Sequence, residues 1–343
     1  MAEALVSLLL DPAPVYRQYD HQLFLNTVIG PGADGALLRL AGPGLPTSTK
    51  GMALSTDSNP RWCSLDPRAG TAATVAEGMA NVAVTGATAV AVVNCLNFGN
   101  PEHPEVMWQL SEAIDGMAEA CKALGLPVIG GNVSLYNESG GSDIDPTPVI
   151  GTLGLVDELV AAPPSLGWNA GESVIVLGAR SGPGPHPFAL AGSRLAVDVM
   201  GDRDGTLFEV DLEAHAAACA LVSTLVAEHA GGRGGLLGAV HDVGSGGLAV
   251  CAAEMAVASG AGAVLEGLEG VAEAFCERPG RFLVSTAVPE RVLEAAAGAG
   301  VPAEVLGRVG GAALVLSGLV DVEVEVLARR RAGALEEALD AAG

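Results

Sequence analysis

A chain of 343 residues, half of them hydrophobic, is long enough to bury the cores of two domains. With 17 basic against 40 acidic residues the net charge is −23, which excludes a nucleic-acid or anionic membrane partner; any phosphate ligand must be held locally, by backbone amides, helix N-termini and a metal ion. The 47 glycines and 20 prolines follow no period, which excludes a collagen-like repeat and points to tight turns between short elements.

In chain order, Glu3 to Leu10 is expected to be the end of a helix stopped by Asp11-Pro12-Ala13-Pro14. The acidic Glu3 and the lack of a basic flank argue against a signal peptide, and no apolar run is long enough to span a bilayer. Leu23 to Ile29 and Ala36 to Leu40 read as strands joined by Gly30-Pro31-Gly32-Ala33-Asp34-Gly35. That turn matches GxGxxG by letter but leads into a strand and not a helix, so it is expected to be a hairpin turn. Gly51 to Thr56 is a third strand, ending in Asp57-Ser58-Asn59-Pro60, where Asp57 is a turn former or a magnesium ligand. Thr71 to Ala83 is a packed helix, and Thr88 to Val93 a central strand that ends at Asn94. Leu110, Ile114, Met117, Cys121 and Leu124 share one helical face, closed by Gly125.

That helix leads into Pro127 to Glu138, read as a buried strand delivering a polar site: Gly130-Gly131 for positive φ or close backbone approach, then Asn132, Ser134, Asn137 and Glu138. Parallel pairing of this strand with the one ending at Asn94 would bring Asn94 and Asn132 to one end of the sheet. A loop-like stretch, Ala161 to Gly171, sets a domain boundary, giving residues 1–165 and 166–343. Beyond it lie a strand at Ser173 to Leu177, a helix near Ala214 to Glu228, the junction His241-Asp242-Val243-Gly244-Ser245-Gly246-Gly247, and a helix from Leu248 to Ala258. Strands at Arg281 to Thr286, Ala312 to Leu316 and Val320 to Val326, with helices near Arg291 to Ala297 and up to Leu339, complete a pattern of α+β or α/β layers.

There is no GxxxxGK[ST] loop, and Lys50 and Lys122 are the only lysines, so a Walker-type phosphate cradle is excluded. None of His21, His103, His186, His215, His229 or His241 stands in a triad context; each reads as a surface, capping or core histidine. Cys63, Cys95, Cys121, Cys219, Cys251 and Cys276 form no CxxC pair and read as reduced thiols of a cytoplasmic protein.

YRQYDH (Tyr16 to His21), LNFGNPEHPEVMWQLSEA (Leu96 to Ala113), GGNVSLYNE (Gly130 to Glu138), PTPVIGTLGL (Pro146 to Leu155) and PGRFLV (Pro279 to Val284) together resemble the synthetase subunit of phosphoribosylformylglycinamidine synthase, over nearly the whole chain. The resemblance is to the second half of that subunit; the first half, with its catalytic histidines, phosphate-contacting lysine and most substrate and metal ligands, is expected to lie outside this chain. It implies an α+β fold of the aminoimidazole-ribonucleotide-synthetase type, a barrel-forming α+β domain followed by an α/β layered domain. It further implies ATP contacts at Asn94 and Gly131, a Mg²⁺ ligand at Asn132, a substrate contact at Ser134, and no catalytic residue in this half. Asp is frequent in the family where this chain has Asn94.

The implied reaction joins ammonia, drawn from glutamine, to formylglycinamide ribonucleotide at the expense of ATP. The implied partners are the N-terminal half, a glutaminase subunit and a small accessory subunit, with self-association as a further expectation. The alternatives are a non-catalytic nucleotide-binding half that acts as a pairing module, and a free-standing homodimeric ATP enzyme of the same superfamily.

Overall fold

The structure, a computed structural model, describes residues 1–44, 46, 48–180 and 190–342, so His186 lies outside the described residues. The first half comprises helices α1 (Ala2–Leu8) and α2 (Ala13–Tyr16), strands β1 (Thr27–Ile29), β2 (Ala36–Arg39) and β3 (Gly51–Asp57), and helices α3 (Pro60–Leu65) and α4 (Pro67–Ala83). Strand β4 (Thr88–Asn97), helix α5 (Pro104–Leu124), strand β5 (Val128–Ser134), the short pair β6 (Glu138–Ser139) and β7 (Ser142–Asp143), and β8 (Thr147–Val156) follow. Six strands form a sheet in the order β1-β2-β3-β8-β4-β5, in which β4 and β5 run parallel.

Alternation decides which face is covered. Leu37, Ala53, Ile150, Thr152 and Val92 point to the side where α4 and α5 pack and are buried. Leu54, Val93 and Leu155 on the opposite face are each about two-fifths exposed (41%, 43% and 41%), which leaves one apolar side of the sheet uncovered by the described residues. Helix α4 reaches the sheet through Gly78, where a Cβ would lie 2.4 Å from Thr152 Oγ1, and meets α5 through Gly116, where a Cβ would lie 2.0 Å from the Arg68 carbonyl oxygen. Asp66 caps α4 by accepting from the Arg68 and Ala69 amides, and Gly125 closes α5 at φ 68°.

The second half comprises β9 (Ser173–Leu177), a π-helical turn (Leu195–Met200), α6 (Leu212–Ala230), β10 (Ala239–Asp242), α7 (Gly247–Ser259), β11 (Ala263–Leu265) and α8 (Val271–Phe275). It ends with β12 (Phe282–Thr286), α9 (Pro289–Gly298), β13 (Ala303–Val309), β14 (Ala313–Leu316), β15 (Val320–Glu323) and α10 (Val324–Ala342). The seven-stranded sheet, in the order β10-β12-β9-β13-β11-β14-β15, is covered on both faces. On β9, Val174 and Val176 face a core with α7, while Ile175 and Leu177 face a core with α6 that also takes in Ala80 and Ala83 of α4 and Val84 just past its end. The two sheets are thereby joined through helices.

Several expectations need correction. β5 is exposed along most of its length, not buried, because it forms the sheet edge, and Gly130 and Gly131 are extended, without positive φ. Leu23 to Leu25 is a 3-10 turn, with strand only from Thr27, and Val324 opens α10 where a strand was expected to continue. The N-terminal helix, though first in the chain, buries Leu5 and Leu8 in the core of the second sheet. No helix among the described residues is long and apolar enough to cross a membrane.

Candidate functional site

The parallel pairing of β4 with β5 sets Asn94 opposite Gly131, Cys95 opposite Asn132 and Asn97 opposite Ser134. The strand-helix-strand path through α5 produces this register, so Asn94, Gly131, Asn132 and Ser134 do converge on the carboxyl ends of neighbouring strands. A Cβ at Gly131 would stand 2.3 Å from Asn94 Oδ1, so the second glycine is required by the Asn94 carboxamide lying across it. Asn94 also donates to Met117 Sδ at 3.5 Å, and the exposed Asn132 places its amide nitrogen 3.7 Å from Cys95 Sγ.

The loop beyond is knitted by amides. Asn137 Nδ2 donates to the Phe98 carbonyl at 2.9 Å and the Ser134 carbonyl at 3.0 Å, and lies 3.2 Å from Ser134 Oγ. Asp143 accepts from the Asn100 amide at 2.6 Å and pairs with His103 Nδ1 at 2.6 Å. These contacts hold the Asp143 carboxyl below the usual range, first through the Asn100 amide, and raise His103 through its bond to Asp143. Tyr136, beside Ser134, is 60% exposed at φ 60°, a backbone state rarely adopted by a bulky residue.

A second cluster closes a cavity of about 270 Å³ between the two sheets. Asp34 comes from the β1–β2 turn, Asp57 from the end of β3, Glu77 and Asn81 from successive turns of α4, His241 and Asp242 from the end of β10, and Glu254 from α7. Asp57 accepts from Asn81 Nδ2 at 2.6 Å and Ser55 Oγ at 2.8 Å. His241 Nδ1 lies 2.9 Å from Asp34 Oδ1 and Nε2 3.1 Å from Glu254 Oε2, so this histidine is a satisfied core residue, as its context suggested.

Burial pushes the Asp57 carboxyl up to about 7 and Asp242 up to about 6, and raises Glu77 well above its ordinary range. Burial alone would lower His241, but Asp34, Cys251 and Asp242 around it together outweigh this and raise it. The buried Glu77 Oε2 has no hydrogen-bond partner among the described residues. Such a set of hard oxygen donors, one of them orphaned, fits a divalent cation such as Mg²⁺, with His241 engaged by carboxylates on both ring nitrogens and so not among the donors. Sequence reasoning considered Asp57 singly and left the His241 to Gly247 junction without a role; the signal it missed was Glu77 and Asn81, four apart on an otherwise small and apolar helix.

Two family models match the chain: the AIR synthase related protein N-terminal domain over residues 32–156 and its C-terminal domain over 169–316. Curated relatives include the phosphoribosylformylglycinamidine synthase subunit PurL of Methylocella silvestris, 42% identical over 96% of this chain and 43% of that protein. The PurL subunit of Thermobifida fusca is 40% identical over 92% of this chain and 40% of its own length. The chain thus spans less than half the length of these relatives. Among solved structures, T. maritima PurL complexed with FGAR aligns at a TM-score of 0.71 and 18% identity, over 95% of this chain and 53% of that one. A HypE-HypF complex structure aligns at 0.56 and 18% identity over 81% of this chain and 87% of that one, a likeness of fold alone. The chain belongs to the AIR synthase related family, carrying its N-terminal domain followed by its C-terminal domain, and corresponds to the C-terminal half of PurL subunits of phosphoribosylformylglycinamidine synthase.

Proposed function

We propose that this chain forms one side of an ATP-dependent C–N ligase site that converts formylglycinamide ribonucleotide and ammonia to the amidine. The observation that carries this reading is the register of β4 and β5, which aligns Asn94 with Gly131 and Asn97 with Ser134 on an open sheet edge. The Gly131 backbone and Asn94 contact the nucleotide, Asn132 offers its carbonyl oxygen to Mg²⁺, and Ser134, held against Asn137, contacts the substrate. Bound Mg²⁺ would neutralise phosphate charge; the residues of this chain position and orient, the main source of rate in phosphoryl transfer. The opposite wall is the N-terminal half, docked on the uncovered face carrying Leu54, Val93 and Leu155, and a glutaminase and a small accessory subunit deliver ammonia. We further propose 1–165 and 166–343 as the domain division and the cytoplasm as the location.

The test is ADP release by the purified chain with formylglycinamide ribonucleotide, ATP, Mg²⁺ and ammonium, with and without a separately made N-terminal half. The chain alone is expected to be silent and the pair active; turnover by the homogeneous chain alone sinks this reading. In the active pair, Asn132→Ala should weaken the Mg²⁺ dependence and turnover by several kcal/mol of transition-state stabilisation, and Asn132→Asp should be milder. Unchanged Mg²⁺ dependence in Asn132→Ala would show the residue to be only a loop former.

A second reading, a nucleotide-binding half that pairs without catalysis, draws support from the acidic cavity around Asp57, Glu77, Asn81 and Asp242, which lies apart from β5. Under that reading the chain retains nucleotide and Mg²⁺ through gel filtration, self-associates through the uncovered sheet face in sedimentation, and adds no turnover to the N-terminal half.

A further inference from the structure

The second half holds two buried guanidinium groups with no carboxylate within ion-pair distance among the described residues. Arg278 is 5% and Arg281 1% exposed. Their polar contacts are to neutral groups: Arg278 Nη2 donates to the Ala179 carbonyl at 2.8 Å, and Arg281 Nη2 to the Cys276 carbonyl at 2.5 Å. The Nε of each is buried without a partner among the described residues. The acidic side chains nearest in sequence are engaged elsewhere, Glu273 by Arg180 and the Glu269 amide, Glu277 by Arg61 and the amides of Arg194 and Gly246. The undescribed stretch 181–189 contains no Asp or Glu to complete the pair. An unpaired buried charge costs several kcal/mol, so this arrangement calls for a counter-ion.

The space for one exists. Arg278 lines a cavity of about 250 Å³ together with Gly178, Ala179, Gly280, Pro302 and the first turn of α6. His215, in that turn, is 2% exposed, and its Nδ1 is a second polar atom in this cavity that is buried without a partner among the described residues. This nitrogen faces the cavity wall at Gly280, where a Cβ would come within 3.1 Å of it. Burial keeps the imidazole neutral, so Arg278 supplies the charge and Nδ1–H donates one neutral hydrogen bond in the tautomer whose Nε2 accepts from Cys219 Sγ at 3.3 Å. The α6 N-terminus, a helix of 19 residues, adds the positive end of its dipole. Asp211 stands at the exposed rim, its carboxylate accepting from the Ala214 amide at 3.0 Å, and supports the Arg278 charge from beyond ion-pair distance.

We propose that this cavity binds a small oxyanion, a phosphate or carboxylate group, held by Arg278 and His215 at the N-terminus of α6. The cavity is separate from the β4–β5 edge and from the acidic cluster, so the assignment stands whatever reaction those regions serve.

The experiment is a titration of inorganic phosphate, observed by its ³¹P linewidth, with the full chain in chloride buffer containing EDTA, and a parallel competition with malonate. Saturable broadening is expected from the wild type; displacement by malonate would mark the site as a general oxyanion pocket, and no displacement as phosphate-selective. Arg278→Met should weaken binding at least about tenfold, the loss expected of one charge-assisted contact. Ala214→Glu, an exposed change at the cavity mouth, should do the same by repulsion and serves if Arg278→Met does not fold. Asn132→Ala should bind as the wild type does. Absence of saturable broadening, or binding that survives both Arg278→Met and Ala214→Glu, overturns the proposal; loss in Asn132→Ala with retention in Ala214→Glu moves the phosphate to the other site and also overturns it.

Discussion

Glu277 ties the two halves of the chain together, and its removal should cost several kcal/mol of stability. Its side chain is fully buried; Oε2 accepts from Arg61 Nη2 of α3 at 3.0 Å, and Oε1 accepts from the Arg194 amide at 2.7 Å and the Gly246 amide at 2.8 Å. Glu277→Ala would strand a guanidinium that is only 20% exposed and orphan two main-chain donors. Removing one partner of a buried ion pair costs roughly 3–5 kcal/mol, and each orphaned amide about 1–3 kcal/mol. Water entering the space and the bond from Arg61 Nε to the Gly192 carbonyl offset part of this, so about 4 kcal/mol is expected, a large share of the stability of an ordinary domain. Glu277→Gln keeps the shape and one acceptor and should cost about half as much. Urea unfolding followed by both circular dichroism and tryptophan fluorescence measures this, since Trp62 lies in α3 and Trp168 in the core of the second sheet. A loss below about 1 kcal/mol in Glu277→Ala, or equal losses in the two variants, would refute the reasoning.

Gly116→Ala should destabilise the chain by about 1–3 kcal/mol in the same assay, because the added methyl meets the Arg68 carbonyl oxygen at 2.0 Å and main chain cannot swing aside. Gly131→Ala should push Asn94 out of place, and the double variant Asn94→Ala/Gly131→Ala should recover part of the loss; strictly additive costs would show that the two residues do not touch. His215 is held neutral by burial, its pKa lowered to about 4, so the unfolded chain takes up a proton that the folded chain does not. In phosphate-free buffer its contribution is therefore present above pH 6.5 and is lost as pH falls towards 4, by about 3 kcal/mol, and His215→Gln should flatten that slope.

Local rules already contained much of this molecule. Gly125 at a helix end, the Gly30 to Gly35 hairpin turn, and a strand-helix-strand run from Thr88 to Ser134 all follow from capping chemistry, turn geometry and periodicity, which act over a few residues. The convergence of Asn94, Gly131, Asn132 and Ser134 was readable for the same reason: a single parallel crossover sets it. What sequence could not decide depended on distant partners. The apolar letters of Val128, Ile129 and Val133 suit a central strand and an edge strand equally, and only the sheet order left them exposed. Leu5 and Leu8 would pack on any apolar face; that they enter the second sheet's core is a matter of shape across the whole chain. Asp34, Asp57, Glu77, Asp242 and Glu254 lie on five separate elements, and Arg278 and His215 on two, so their burial, raised or lowered proton affinities and shared cavities exist only once both sheets have closed on the helices between them.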